Sequence, residues 1–407
     1  MKNGNVLAVE LSEANATATR EEVNSHEQGV VNRRSFMKRG LVAGAAATVG
    51  AGILANSHFA FGQDAGDDGD ELTKGDIAIL QFLAAAEIIE SDLWLQYQEL
   101  GGVQDDEVAK LASKLIPGYP AEATGGNPLY IEDLKPLDGD MSQYIHDNTE
   151  DELTHEVFIN EYLASKGAEK ISLGHFRTLP SSKATGANQF GRITNLMQLT
   201  VDTSWWTRYR SRRKNPDFGD TFPQAIPTLA VGQHTAIPRT DNDANHAKFF
   251  QAIVNTAGFH FAFIEQGGSS LYPMLAQRVS SAEVLRILLS IGGVEITHFQ
   301  TWHDKAGNAP HLKDVVDPVT GVKVTFPDLN SPPRQDFQTN LIMPEPTAFL
   351  GKQLPACSII RPTATEGAAM GALRGLTADG LFIGQSQAFF SFMRDLAENA
   401  DAARRER

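Results

Sequence analysis

Two copies of Glu-x-x-His, Glu152 to His155 and Glu295 to His298, each follow a lone carboxylate set in an apolar, helix-forming stretch: Glu87 before the first, Glu265 before the second. Residues i and i+3 of a helix share a face, so each motif presents one carboxylate and one imidazole in the same direction. Glu265 is the only charged residue between Lys248 and Arg278, and Glu295 the only one between Arg286 and Asp304. A carboxylate buried unpaired in such packing is costly or is forced neutral. Any one of the four could be a surface group, and a single Glu-x-x-His recurs by chance. All four elements in order point instead to four helices that converge on one place, where metal ions supply the compensating charge.

Depth along the helices agrees. If the third and fourth helices turn near Ser280, Glu265 and Glu295 each stand 15 positions from the turn. In the first pair, Glu87 is 14 positions before Gly101 and Glu152 is 12 after Asp140. Glu90 competes with Glu87 for the ligand role. Glu87 is preferred because an aromatic follows by seven in both halves, Trp94 after Glu87 and Tyr272 after Glu265. Glu156 and Glu161 are expected to face solvent or polar neighbours. His260 and His303 stand five positions from Glu265 and His298, a poor spacing for one face, and are read as packing or supporting residues.

The expected elements follow from pattern and punctuation. Gly75 to Leu100 reads as a helix apolar on almost every side, hence buried. Residues 101–141, broken by Pro117, Pro120, Pro128 and Pro136, read as an irregular insertion. The second helix runs from Met141 to Ser165. Residues 167–243 form a long crossover with helical pieces around Ala187 to Tyr209, and the third helix spans Ala244 to Gly267, with Gly267, Gly268 and Pro273 interrupting it beyond its carboxylate. A capping box from Ser280 to Glu283 starts the fourth helix, which reaches Asp304. The remainder is extended, with short strands within Val315 to Phe326, and closes with an amphipathic helix from Ser386 to Ala403.

At the N-terminus, Asn32-Arg33-Arg34-Ser35-Phe36-Met37-Lys38 precedes an uncharged run from Gly40 to Ser57 and small residues at Ala60 and Gly62. That layout is a twin-arginine export signal. The run is short and glycine-diluted against the roughly 20 residues of a membrane span, so cleavage near Gln63 is expected, with retention as an anchor the alternative. The division is therefore 1–62 signal, 63–74 acidic linker, 75–304 bundle with insertions 101–141 and 167–243, and 305–407 extension with a terminal helix.

The net charge of -15 argues against a nucleic-acid partner. The one basic cluster outside the termini, Arg208 to Lys214 beside Trp205, Trp206 and Tyr209, reads as a solvated loop face, with capture of an anionic ligand the lesser reading. A single cysteine, Cys357, excludes an intrachain disulfide and thiolate metal clusters, and in Leu-Pro-Ala-Cys-Ser-Ile-Ile it reads as a small buried residue.

Leu80 to Glu90, Asp151 to His155, Phe263 to Glu265 and Ile291 to His298 resemble the exported ferritin-like domain family that includes desiccation-related proteins. The resemblance covers about residues 75–304. It implies an all-α fold, a ferritin-like four-helix bundle with a long crossover, holding two Fe or two Mn ions. Glu87 and Glu265 would be terminal ligands, Glu152 and Glu295 bridging ligands, and His155 and His298 one imidazole on each metal. Trp94 stands where many members of that family have tyrosine. The long insertions and tail argue against assembly into an iron-storage cage, while a smaller homo-oligomer stays open. The expected function is a periplasmic or otherwise extracytoplasmic oxidoreductase using dioxygen or peroxide, delivered by the twin-arginine export machinery. The alternative is a non-catalytic, stress-related metal-binding or ligand-binding protein.

Overall fold

The computed structural model describes residues 72–209, 214–215, 218–329, 345–360 and 367–406, and every structural statement refers to these. The Arg33-Arg34 segment and the acidic stretch Asp64 to Glu71 lie outside them. The described chain is mostly helical. In order the helices are α1 (Lys74–Gly101), α2 (Glu107–Leu115), α3 (Pro128–Leu134), α4 (Met141–Ser165), α5 (Ser204–Arg208), α6 (Ala247–Ala276), α7 (Ala282–Ala306), α8 (Ala368–Ala378) and α9 (Gln387–Ala402). Two separate antiparallel hairpins pair β1 (Leu312–Val316) with β2 (Lys323–Phe326) and β3 (Glu345–Ala348) with β4 (Ala356–Ile359). No described helix is long and apolar enough to cross a membrane.

The four long helices pack as two pairs, α1 along α4 and α6 along α7. Aromatic rings join the pairs: Trp94 of α1 stacks on Trp302 of α7 with centroids 5.2 Å apart, and Phe261 of α6 lies 5.0 Å from Trp94 and 4.8 Å from Trp302. At one end, Thr73 caps α1 by accepting from Asp76 N at 3.0 Å. Buried Asp76 in turn accepts from the backbone N–H groups of Ser280 and Ser281 at 2.8 and 3.0 Å, so one carboxylate ties the start of α1 to the start of α7. The tail returns to this core, with α9 lying along α1 and α8 against α6.

Buried polar side chains of α1 hold the crossover in place. Asp92 accepts from Ile193 N at 3.0 Å, from Thr194 N at 2.9 Å and from the Thr194 hydroxyl at 2.7 Å. Glu99 pairs with Arg192 at 2.6 Å, both side chains being buried, and also accepts from Tyr119 Oη at 2.7 Å and Asn188 N at 2.9 Å. With α1 supplying these partners, residues 187–203 need no helical hydrogen bonds, and the helical pieces expected there reduce to α5.

Other elements also depart from expectation. The insertion 101–141 contains α2 and α3. Pro128 is the first residue of α3, where a missing N–H costs nothing, and Asn127 caps that helix by accepting from Tyr130 N at 3.0 Å. The third long helix continues through Gly267, Gly268 and Pro273 to Ala276. Packing against α7 overrides local propensity there: a Cβ on Gly292 would stand 2.8 Å from Tyr272 Cβ, so the two helices need that glycine to approach. The cap of α7 is Ser281 rather than Ser280, accepting from Val284 N at 3.3 Å, and Glu283 turns outward to Lys166 at 3.0 Å. Helix α8 was not expected from its glycine-rich sequence. Cys357 is exposed, because Ala356 to Ser358 of β4 have no covering layer. Trp205 and Trp206 are core residues packed around His303 at 5.5 and 5.0 Å, not part of a loop face, and Arg210, Arg212 and Arg213 lie outside the described residues.

Removing one member of the buried Glu99–Arg192 pair leaves the other charged and alone. Glu99→Ala is expected to cost about 3–5 kcal/mol in urea unfolding. A Glu99→Leu, Arg192→Met double variant should recover much of that loss.

Candidate metal centre

Each sequence motif supplies its side chains to one buried point between the four long helices. Glu87 comes from α1, Glu152 and His155 from α4, Glu265 from α6, and Glu295 and His298 from α7. The four carboxylates are at most 1% exposed and both imidazoles are 8% exposed. Two overlapping groups result. One ligand atom from each of Glu87, Glu152, His155 and Glu295 lies within 4.8 Å of the others, and the same holds for Glu152, Glu265, Glu295 and His298. Glu152 and Glu295 belong to both. Glu90 belongs to neither.

The contacts divide Glu152 between the two halves. Its Oε2 is 3.1 Å from His155 Nδ1, and its Oε1 is 3.0 Å from His298 Nδ1. His155 Nδ1 also stands 3.5 Å from Glu87 and 3.5 Å from Glu295, while His298 Nδ1 stands 3.3 Å from Glu265. Yet Glu87 Oε2, Glu265 Oε2, both Glu295 carboxylate oxygens and His298 Nδ1 make no well-formed hydrogen bond. Buried polar atoms left without partners each cost roughly 1–3 kcal/mol. Cations between them would remove that cost, and carboxylate with imidazole is a donor set suited to iron and manganese.

Electrostatics point the same way. Burial pushes Glu87 up to about 7, against the pull of His155. Burial also raises Glu265, and it raises Glu295 well above the ordinary carboxylate range, with the charge on Glu152 adding to both. Glu152 is the exception: burial raises it too, but the imidazoles of His155 and His298 outweigh burial and hold it low. For both histidines burial favours the neutral ring, and the surrounding carboxylates overcome that and raise them. Without metal, the site therefore keeps itself tolerable by holding protons.

A supporting shell orients the candidate ligands. Asn148 Nδ2 donates to Glu152 Oε1 at 2.8 Å and to Glu265 Oε1 at 3.0 Å, and its own Oδ1 accepts from Trp302 Nε1 at 2.6 Å. Tyr272 Oη donates to Glu87 Oε1. His298 Nε2 faces Asp151 Oδ2 at 3.0 Å, an arrangement that fixes a ligating ring. Gly268 is required by close approach, since a Cβ there would stand 2.1 Å from Glu295 Oε2. The two halves are not equivalent: Tyr272 reaches Glu87, whereas Trp94 stacks on Trp302 and leaves Glu265 to Asn148. His260 sits apart, between Tyr97 Oη at 2.8 Å and Asp379 Oδ2 at 3.1 Å, and His303 packs among aromatic rings. Glu161 pairs with Lys170, while Glu156 is half-buried and burial pushes it up to about 7.

Asn148 was not singled out in the sequence, although it stands one helical turn before Glu152 on the same face. Tyr272 was marked only by its spacing. Asp151 stands out only as the start of a motif stretch and Gly268 only as a helix interruption; their roles beside the site show once the helices are docked.

Loading metal must displace protons from groups held above their ordinary range. Addition of iron(II) or manganese(II) to metal-free protein near neutral pH is expected to release protons, and affinity should rise with pH through about 7 as Glu87 ionises. The raised carboxylates and histidines bind more protons folded than unfolded. Metal-free protein should therefore lose thermal stability as pH rises from the ordinary carboxylate range through about 7 and above, and loaded protein should not. Asn148→Ala should weaken metal binding by about 10- to 100-fold in competition with a chelator.

Comparison of the chain with family models, with curated proteins and with solved structures finds no match, so the functional assignment rests on these residues.

Proposed function

We propose that the chain is an exported, ferritin-like di-metal carboxylate protein, an oxidoreductase that uses dioxygen or peroxide. The observation that carries this reading is the pair of overlapping four-residue groups sharing Glu152 and Glu295, in which Glu87 Oε2, Glu265 Oε2, both Glu295 oxygens and His298 Nδ1 lack a well-formed hydrogen bond. The helix pairing is read as a four-helix bundle of the ferritin-like kind. Glu87 and Glu265 are assigned as terminal ligands, Glu152 and Glu295 as bridges, and His155 and His298 as one imidazole on each of two iron or manganese ions. Export through the twin-arginine machinery rests on the Arg33-Arg34 motif.

When bound, a pair of such ions supplies redox chemistry toward dioxygen or peroxide. The chain's own residues do the rest. Asn148 fixes Glu152 and Glu265 in one orientation, Asp151 turns His298 Nδ1 inward, and Tyr272 holds Glu87 by one oxygen, leaving the other for metal. The aromatic packing of Trp94, Phe261 and Trp302 excludes water from that side. Glu87, at the other side, lines a cavity, which gives the centre an approach and favours turnover over purely structural metal.

The test is oxygen and peroxide consumption by protein loaded with iron or with manganese, beside a Glu152→Ala, Glu295→Ala double variant. Metal-dependent consumption lost in the variant is the expected outcome. Tight metal binding without consumption of either oxidant would return the protein to the non-catalytic, stress-related metal-binding reading.

A further inference from the structure

Next to the centre lies a cavity of about 380 Å³, the size of a small-molecule site, between α1, α6 and the returning helix α8. Its walls are mainly apolar, with Phe82, Leu93, Met274 and Met393 among them. Besides Gly268, whose place Glu295 fills, three of its glycines are internal to helices: Gly267 in α6, and Gly371 and Gly375 one turn apart on α8. A Cβ added at any of the three would meet nothing within 4 Å. Close packing therefore does not require them, and a helix-interior glycine is destabilising relative to alanine. All three are solvent-exposed and line the cavity, so the part of the wall they form is bare of side chains.

The polar groups in the wall are few. Gln266 and Ser270 hydrogen-bond each other at 2.7 Å. Glu87, 1% exposed, belongs to the centre and turns an oxygen without a hydrogen bond inward, and Glu90 has a buried oxygen likewise unpartnered. Arg374 is exposed, lines the same cavity, and makes no hydrogen bond or ion pair with any described residue. Asp401 of α9 holds α8 in place by accepting from Ala369 N and Met370 N, both at 2.9 Å, and by pairing with Arg278 of the α6 terminus at 2.9 Å.

We propose that this cavity binds an amphipathic organic monoanion, an alkyl carboxylate, with its anionic end at Arg374 and its apolar chain against the glycine-opened wall beside Glu87. The proposal rests on the metal-centre reading, and makes that molecule the organic substrate of the centre. A route for ferrous iron would need carboxylates along its length, whereas Glu87 and Glu90 are the only ones in a lining that is otherwise mainly apolar. Peroxide and dioxygen alone need no cavity of this size.

The test uses the full chain, with metal content measured on every sample. Calorimetric titration with octanoate, decanoate and dodecanoate should show binding that strengthens by about fourfold per methylene until the cavity is full. Gly371→Leu should weaken dodecanoate binding at least tenfold. Arg374→Gln should weaken dodecanoate about tenfold and leave dodecanol unchanged. In protein loaded with cobalt(II) as a spectroscopic stand-in, dodecanoate should shift the visible bands of the metal. Normal metal content with no binding of carboxylate or alcohol, or binding indifferent to Gly371→Leu, would overturn the proposal and leave the metal centre standing. Binding to a chain that takes up no metal would overturn the substrate role together with the metal reading.

Discussion

Four carboxylates with almost no access to water, gathered between helices whose other faces are apolar, are the constraint on which this structure depends. Two imidazoles cannot balance them alone, and protons balance them only in part, which is why Glu87, Glu265 and Glu295 are pushed upward while Glu152 stays low. Around that charge problem the geometry becomes specific. Gly268 is bare because Glu295 occupies the space of its side chain, Gly292 is bare because Tyr272 does, and Asn148 faces two carboxylates at once. Gly292 serves helix packing, whereas Gly268 and Asn148 serve the carboxylates, whose charge cations between them would compensate.

The segments outside the four long helices are built onto this centre rather than appended to it. Asp92 and Glu99 of α1 hold the crossover by buried hydrogen bonds and an ion pair, so the first long helix carries Glu87 of the candidate centre and also anchors the crossover. The tail returns to place α8 and α9 against α6 and α1, which closes a cavity over Glu87 where a shorter chain would leave an open helix face. On the proposed reading, chemistry at the centre and selection of what reaches it come from different parts of the chain.

The gathering of the six site residues was legible in the sequence because a buried charge leaves a visible mark, a lone Glu in a long apolar run. The aromatic seven positions on, matched in both halves, then separated Glu87 from Glu90. What was not legible depends on tertiary partners. Helix α6 runs through two glycines and a proline because α7 supports it, and α7 takes Ser281 as its cap because Asp76 of α1 binds the N–H groups at that turn. Pro128 read as a breaker but is the first residue of a helix. Trp205 and Trp206 read as loop aromatics because their neighbours are basic, yet they fill the core around His303. Cys357 read as buried from its apolar neighbours, but a two-stranded hairpin offers it no cover. Asn148 and Tyr272, the residues that orient the ligands, are ordinary helix residues until the helices meet.

The most direct test of the central claim is an anomalous difference map from crystals of the protein grown with iron or manganese, recorded at the absorption edge of the metal. Two peaks about 4 Å apart or less, flanked by Glu152 and Glu295, with Glu87 and His155 on one and Glu265 and His298 on the other, are the predicted result. A single peak, or none between these side chains in metal-supplied crystals, would contradict a dinuclear centre.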